Sequence, residues 1–191
     1  MREKDPKKVQ KIFDATLSLV FHEGLDAINI SKIAKSAKVA SGTLYIYFEN
    51  KEILLNELFD HVTDLWIDNI KLSVDSPDLE DHFRSIWKNH ILFALNHYKA
   101  MHFKNIFIHS KYLDDNNQEK STKFLERFYS VFDEAKEKGI IRNLDSQLIF
   151  SLLENITLQV IRFLMNEPSE KAKEETIENS FWLCWNGLKT I

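Results

Sequence analysis

Apolar residues recur three and four positions apart along most of this chain, and little interrupts them. Glycine occurs four times and proline three times in 191 residues. A chain so short of turn-formers cannot make the many tight reversals that an all-β fold needs. The reading is therefore all-α. Val9, Ile12, Phe13, Thr16, Leu17 and Val20 share one helix face. Pro6 suits that helix's first turn, and Gly24 ends it as a left-handed cap. Ile30, Ile33, Ala34 and Ala37 mark a short helix behind an Asn29 cap, and Gly42 to Phe48 a shorter one. Longer stripes cover residues 51–71, 81–98, 101–108, 121–138, from Asp145 to about 165, and 170–188. The spacing predicts about nine helices, with residues 114–117 as a loop.

Composition narrows the class. Hydrophobic residues make up 44% and charged residues 28% of the chain, as in an ordinary globular protein. No apolar run approaches the roughly 18 residues of a membrane span, and the charged N-terminus does not read as a secretory signal. One cysteine, Cys184, fits a reducing cytoplasm. Net charge is −4, but it is unevenly spread. Residues 1–51 hold nine basic against six acidic side chains, and the remainder 16 against 23. A basic head on an acidic body points the head toward a polyanion.

Residues 29–51 carry the most specific pattern. Two short helices around a break at residues 38–40 are a helix-turn-helix arrangement. In the second helix Leu44 and Phe48 lie four apart and anchor inward. Gly42, Thr43, Ile46 and, at the far end, Tyr47 point outward, with Tyr45 on the flank. In a DNA major groove, Gly42 permits close approach. Thr43 offers a methyl and a hydroxyl to base edges, and the Tyr45 and Tyr47 phenols reach phosphates. Lys32, Lys35, Lys38 and Lys51 supply charge for the backbone. The pattern alone also leaves a plain core-forming helix pair open.

The run Gly42-Thr43-Leu44-Tyr45-Ile46-Tyr47-Phe48, with Ile33-Ala34, Val39 and Asn50-Lys51-Glu52, resembles the signature of the TetR (tetracycline-repressor) family of bacterial transcription regulators. The resemblance implies a three-helix DNA-binding head, residues 1–51, and a linking helix, 51–71. It also implies a larger effector-binding and dimerisation body, 75–191, and ligand-controlled release from a palindromic operator. Gly42, Thr43 and Tyr45 match positions that meet base edges or adjacent phosphates; Ser41, Tyr47 and Lys51 match phosphate-contacting positions. Three residues depart from the signature. Lys38 stands where glycine is common and, if left-handed, costs about 1–2 kcal/mol. Ala40 and Ile46 replace commonly polar positions, so the base sequence read there is not inherited.

In the body, Trp66, Phe83, Trp87, Phe103 and Phe107, with His90 and His97 for polarity, are candidates to line a pocket for a small apolar or aromatic effector. The histidines have no nearby cysteine, no HExxH and no Glu-x-x-His pairs, so neither a metal site nor a cofactor is expected. No Gly-rich phosphate loop or G-x-S-x-G elbow supports catalysis. Leu152, Ile156 and Val160 in one C-terminal helix, and Phe181, Trp182 and Trp185 in the last, belong to segments apolar on two faces. One face serves the core and the other a partner subunit, and the resemblance implies that pairing. The expected partners are double-stranded operator DNA, an effector and a second copy of the chain, with no membrane. The competing readings are a helical carrier or enzyme whose helix-turn-helix is incidental, and a DNA-binding protein without an effector.

Overall fold

The structure, a computed structural model, describes residues 5–70 and 78–190. Among these the chain forms nine helices and no strand: α1 (Pro6–Glu23), α2 (Ile30–Ala37), α3 (Ser41–Tyr47), α4 (Lys51–Ile70), α5 (Leu79–Asn96), α6 (Tyr98–Phe107), α7 (Asp115–Glu137), α8 (Ser146–Leu164) and α9 (Glu170–Leu188). The expected end of the linking helix at Lys71 and the expected start of the body at residue 75 lie outside the described residues. Two compact units result. One comprises residues up to 65 together with 97–119; the other comprises 66–96 together with residues from 120 on.

In the first unit the helix ends are fixed by local chemistry. Asp5 accepts from the Lys7 amide at 3.0 Å and opens α1; Gly24, at φ 83°, closes it. Asn29 accepts from the Lys32 amide at 2.9 Å at the start of α2, and Asn50 accepts from the Ile53 amide at 2.9 Å at the start of α4. Ile12 of α1, Ile33 of α2, Leu44 of α3, and Leu54, Leu55, Leu58 and Phe59 of α4 are completely buried together.

Helix α6 joins this core. Phe103 and Phe107 stack with ring centroids 5.1 Å apart, and Phe107 lies 5.2 Å from Phe59. Residues 97–119 thus pack with the first unit, and Phe103 and Phe107, expected as pocket wall, lie in that unit's core. Periodicity reveals that a helix face is buried but not against which neighbour. The residues read as a loop, 114–117, in fact open α7, with Asp114 accepting from the Asn117 amide at 2.8 Å.

A buried amide secures that junction. The Asn56 side chain donates to the Glu52 carbonyl at 3.0 Å and to the Tyr112 carbonyl at 2.7 Å. It accepts from the Asp114 amide at 3.0 Å and from Asn117 Nδ2 at 3.1 Å. Every polar atom of Asn56 is thus satisfied inside the core, where an unmade bond costs about 1–3 kcal/mol.

In the second unit α5, α8 and α9 pack on one another, and α7 adds Phe132, stacked on Phe83 at 5.9 Å. Phe181 and Trp185 of α9 stack at 5.9 Å, and Trp185 reaches Phe83 at 5.6 Å. The segment after α7 is sewn to the C-terminus by an isolated antiparallel bridge between Ile141 and Lys189. Helices α4 and α7 both begin in the first unit and end in the second. The sequence reading had named only the first of these, residues 51–71, as a linking helix.

Candidate nucleic-acid interface

The turn between α2 and α3 is built on a left-handed lysine. Lys38 has φ 55° and ψ 41° and is the single non-glycine residue with positive φ among the described residues. It closes α2 in a Schellman arrangement, with the Val39 amide donating to the Ala34 carbonyl at 3.0 Å and the Lys38 amide to the Lys35 carbonyl at 3.3 Å. Ala40 is the N-cap of α3 and makes no side-chain capping bond. Ser41 is the first helical residue and is exposed.

Helix α3 presents the surface that its sequence foreshadowed. Leu44 and Phe48 are buried, while Ser41 and Gly42 are exposed, Tyr45 is 56% exposed and Ile46 is 73% exposed. Thr43 and Tyr47 are half-buried. The Tyr47 hydroxyl accepts from the Asp5 amide at 3.2 Å, which leaves its own proton to donate outward. Gly42 lies in ordinary helical backbone, and a Cβ built on it meets nothing within 4 Å. The fold therefore gives no reason for glycine here, although glycine inside a helix costs about 0.5–1 kcal/mol relative to alanine.

The lysines divide into two sets. Lys32 is spent internally, pairing with Glu23 at 2.6 Å and donating to the Ala27 carbonyl at 2.9 Å. Lys51 donates to the Leu25 carbonyl at 2.6 Å and sits 4.7 Å over the Tyr112 ring. Burial pushes its ammonium below the usual lysine value, with Asp26 opposing. Tyr112 in turn donates to Asp26 at 2.9 Å. That hydrogen bond, then the charge of Lys111, holds the Asp26 carboxyl below its ordinary range. Both lysines thus brace the segment between α1 and α2. Lys35 and Lys38, and Lys7, Lys8 and Lys11 on α1, are exposed and make no ion pair among the described residues.

The second unit contains a partly open cavity of about 70 Å³. Trp66, Phe83, Trp87 and His90 line it, as expected from the sequence. His97 does not; it is exposed at the start of α6 in the first unit. Phe128, Phe132 and Phe150 complete the aromatic wall, and Glu154 enters it. Sequence reasoning missed Glu154, because an acid three turns into an apolar helix reads as its solvated side. Among the described residues no three His, Cys, Asp or Glu side chains converge on a common point.

The expected subunit face separates by helix. On α8, Leu152 is 56% and Ile156 41% exposed, Leu148 and Phe163 are exposed too, and Val160 is half-buried beside them. The opposite side of α8, with Ile149, Thr157, Ile161 and Leu164, is buried. On α9, Phe181 and Trp185 turn inward and are 4% exposed, so they belong to the chain's own core. Leu183 carries the outward side, with Trp182 half-buried and donating to Glu178 at 2.7 Å. When both faces of a helix are apolar, the sequence does not say which residue turns which way.

Helix α8 is also long and apolar enough, by length and composition, to cross a membrane, which the sequence reading had not expected. Its exposed side interleaves Gln147, Ser151, Asn155, Gln159 and Arg162 with the apolar residues. Hydrocarbon would leave those groups unsatisfied, whereas a protein surface can pair them.

A short helix pair, with an exposed reading helix beside uncommitted lysines, defines a helix-turn-helix DNA-binding protein. The profile described as "Bacterial regulatory proteins, tetR family" matches residues 12–58, and "Tetracyclin repressor-like, C-terminal domain" matches residues 56–190. The chain belongs to the TetR family of transcriptional regulators. A TetR family transcription regulator from Marinobacter aquaeolei superimposes with a TM-score of 0.84 at 26% identity, over 100% of both chains. An uncharacterized helix-turn-helix-type transcriptional regulator of Haemophilus influenzae is 26% identical over 95% of this chain and 97% of its own length. The fatty acid metabolism regulator protein of Bacillus subtilis is 41% identical over 71 residues, 37% of this chain and 36% of that one.

Proposed function

We propose that this regulator is a cytoplasmic homodimeric repressor, released from a palindromic operator by a largely apolar small molecule. The observation that carries the DNA-reading assignment is Gly42: exposed in the middle of the reading surface, and demanded by nothing inside the fold. Gly42, Thr43 and Tyr45 read or border the bases. Ser41, Tyr47, Lys35 and Lys38 hold phosphates. Lys32 and Lys51 act one step back, fixing the segment from which α2 springs.

The switch follows from the helices that wall the cavity. Trp66 lies in α4 and Phe128 and Phe132 in α7, the two helices that continue into the first unit. There Asn56 of α4 and Asn117 of α7 are bonded to one another. A cavity of about 70 Å³ is far below the roughly 300–1,000 Å³ of a small-molecule site. An effector must therefore push these walls apart, and the movement is carried along both helices. Coupling of this kind is worth typically about 1–3 kcal/mol, or roughly 5–150-fold in affinity.

Linkage sets the test. Effector should weaken binding to the DNA flanking the gene, and that DNA should weaken effector binding by the same factor. Mobility shift and calorimetric titration, each with and without the other ligand, measure the two factors. Equal effector affinity with and without operator would leave a DNA-binding protein with no switch.

Lys38 offers a separate check with two readouts. Lys38→Gly removes the left-handed strain of about 1–2 kcal/mol, partly offset by the freer unfolded chain. At this size each kcal/mol moves the melting temperature by about 2–4 °C, so the variant should melt a few degrees higher. If Lys38 holds a phosphate, the dependence of log affinity on log salt should become shallower by about one unit. A higher melting temperature with an unchanged salt slope would remove Lys38 from the DNA.

A further inference from the structure

We infer that the effector is a hydrophobic organic cation, seated with its charged nitrogen against Glu154 and its apolar body among the rings of the cavity. The inference rests on the effector-controlled reading above and narrows its ligand. The argument begins with donors. Trp66 Nε1 is committed to His90 Nδ1 at 3.0 Å, and Trp87 Nε1 to Ser180 Oγ at 3.0 Å. The Thr157 hydroxyl donates to the Leu153 carbonyl at 2.8 Å. Because His90 Nδ1 accepts, the imidazole is neutral with its proton on Nε2, and that nitrogen faces Glu154 Oε2 at 3.8 Å. Apart from the His90 Nε2–H that faces Glu154, the indole and hydroxyl donors of Trp66, Trp87 and Thr157 are thus committed within the protein.

What it offers instead is negative. Glu154 has its side chain 23% exposed, and among the described residues its ionic neighbour is His90, whose Nδ1 accepts from Trp66. Among the described residues no lysine or arginine pairs with it. A half-buried carboxylate without a cation is costly, and a ligand that brings one gains the difference. Trp66, Phe83, Trp87, Phe128, Phe132 and Phe150 surround it, and the negative faces of aromatic rings attract the same charge. A carboxylate-bearing amphiphile meets repulsion from Glu154, and the His90 Nε2–H that could answer it already faces that carboxylate.

Ions of equal shape and opposite charge give the test. The full-length protein is titrated with tetraphenylphosphonium and with tetraphenylborate, and with the smaller pair benzyltrimethylammonium and phenylpropionate, following tryptophan fluorescence and heat. Within at least one pair the cation should bind saturably and at least about tenfold more tightly than the anion, a difference of about 1.4 kcal/mol. Glu154→Gln keeps the shape and the acceptor toward His90; it should erase most of that preference. No saturable cation binding, an anion bound equally or better, or an unaltered preference in Glu154→Gln would overturn the assignment. Mobility shifts with the same ions separate it from the switch. A bound cation that leaves the operator complex intact supports this cavity chemistry and refutes the switch. An anion that releases the operator refutes the cation and keeps the switch.

Discussion

Gly42→Leu should give a folded, dimeric protein that has lost specific operator binding. The structure makes the two halves of this expectation independent. A side chain at Gly42 meets no atom of the chain within 4 Å, and the backbone there is ordinary helix. Gly42 is the second residue of α3, and leucine forms helix more readily than glycine, so the variant should melt at the same temperature or slightly higher. The leucine instead projects from the surface that meets the duplex, and holds α3 off the groove. Specific recognition exceeds non-specific binding by about a thousandfold or more, and the variant should fall to the non-specific level. The non-specific level itself should survive, because Lys35, Lys38 and the lysines of α1 are untouched. Anisotropy titrations with operator and with a scrambled duplex, beside a thermal melt, measure both halves. Retained operator preference in Gly42→Leu would move the reading surface away from α3.

The sequence declared the reader because its physics is local. Asn29 as a cap, Gly24 as a positive-φ stop, Lys38 as a left-handed stop, and Leu44 with Phe48 as anchors depend on neighbours a few residues away. The structure places each as its spacing implied. What stayed hidden depends on distant partners. Lys32 and Lys51 read as backbone charge, but the carbonyls of Ala27 and Leu25, which need donors, claim them. Asn56 and Asn117 are single polar residues in separate helices, and no local pattern marks them as a bonded pair. Phe103 and Phe107 announce a buried face equally well for head or body. Glu154 shows the same limit at the cavity: only the other walls reveal that it sits beside His90 among aromatic rings.

Leu152→Asp with Ile156→Asp should convert a dimer into a folded monomer. Both residues are already exposed in the single chain, unlike Ile149 and Ile161 on the other side of α8. Aspartate there strains nothing within the protomer, and helical circular dichroism should persist. In a symmetric pair each α8 face meets its counterpart, so the double substitution sets four carboxylates into one apolar contact. A buried unpaired charge costs several kcal/mol, enough to dissociate a dimer at micromolar concentration. The consequence for DNA is larger than for assembly. Two reading heads engage half-sites about 34–36 Å apart, or a multiple of that, and a monomer loses the second head outright. Linked binding of two heads exceeds either alone by about 100–10,000-fold, so operator affinity should drop by that order while each α3 remains intact. Sedimentation velocity and operator titration of the same preparation test both consequences. Phe181→Asp is the contrast. Phe181 stacks on Trp185 inside the protomer, and this variant should unfold the second unit rather than release a folded subunit. A Leu152/Ile156 variant that still sediments as a dimer would take α8 out of the interface.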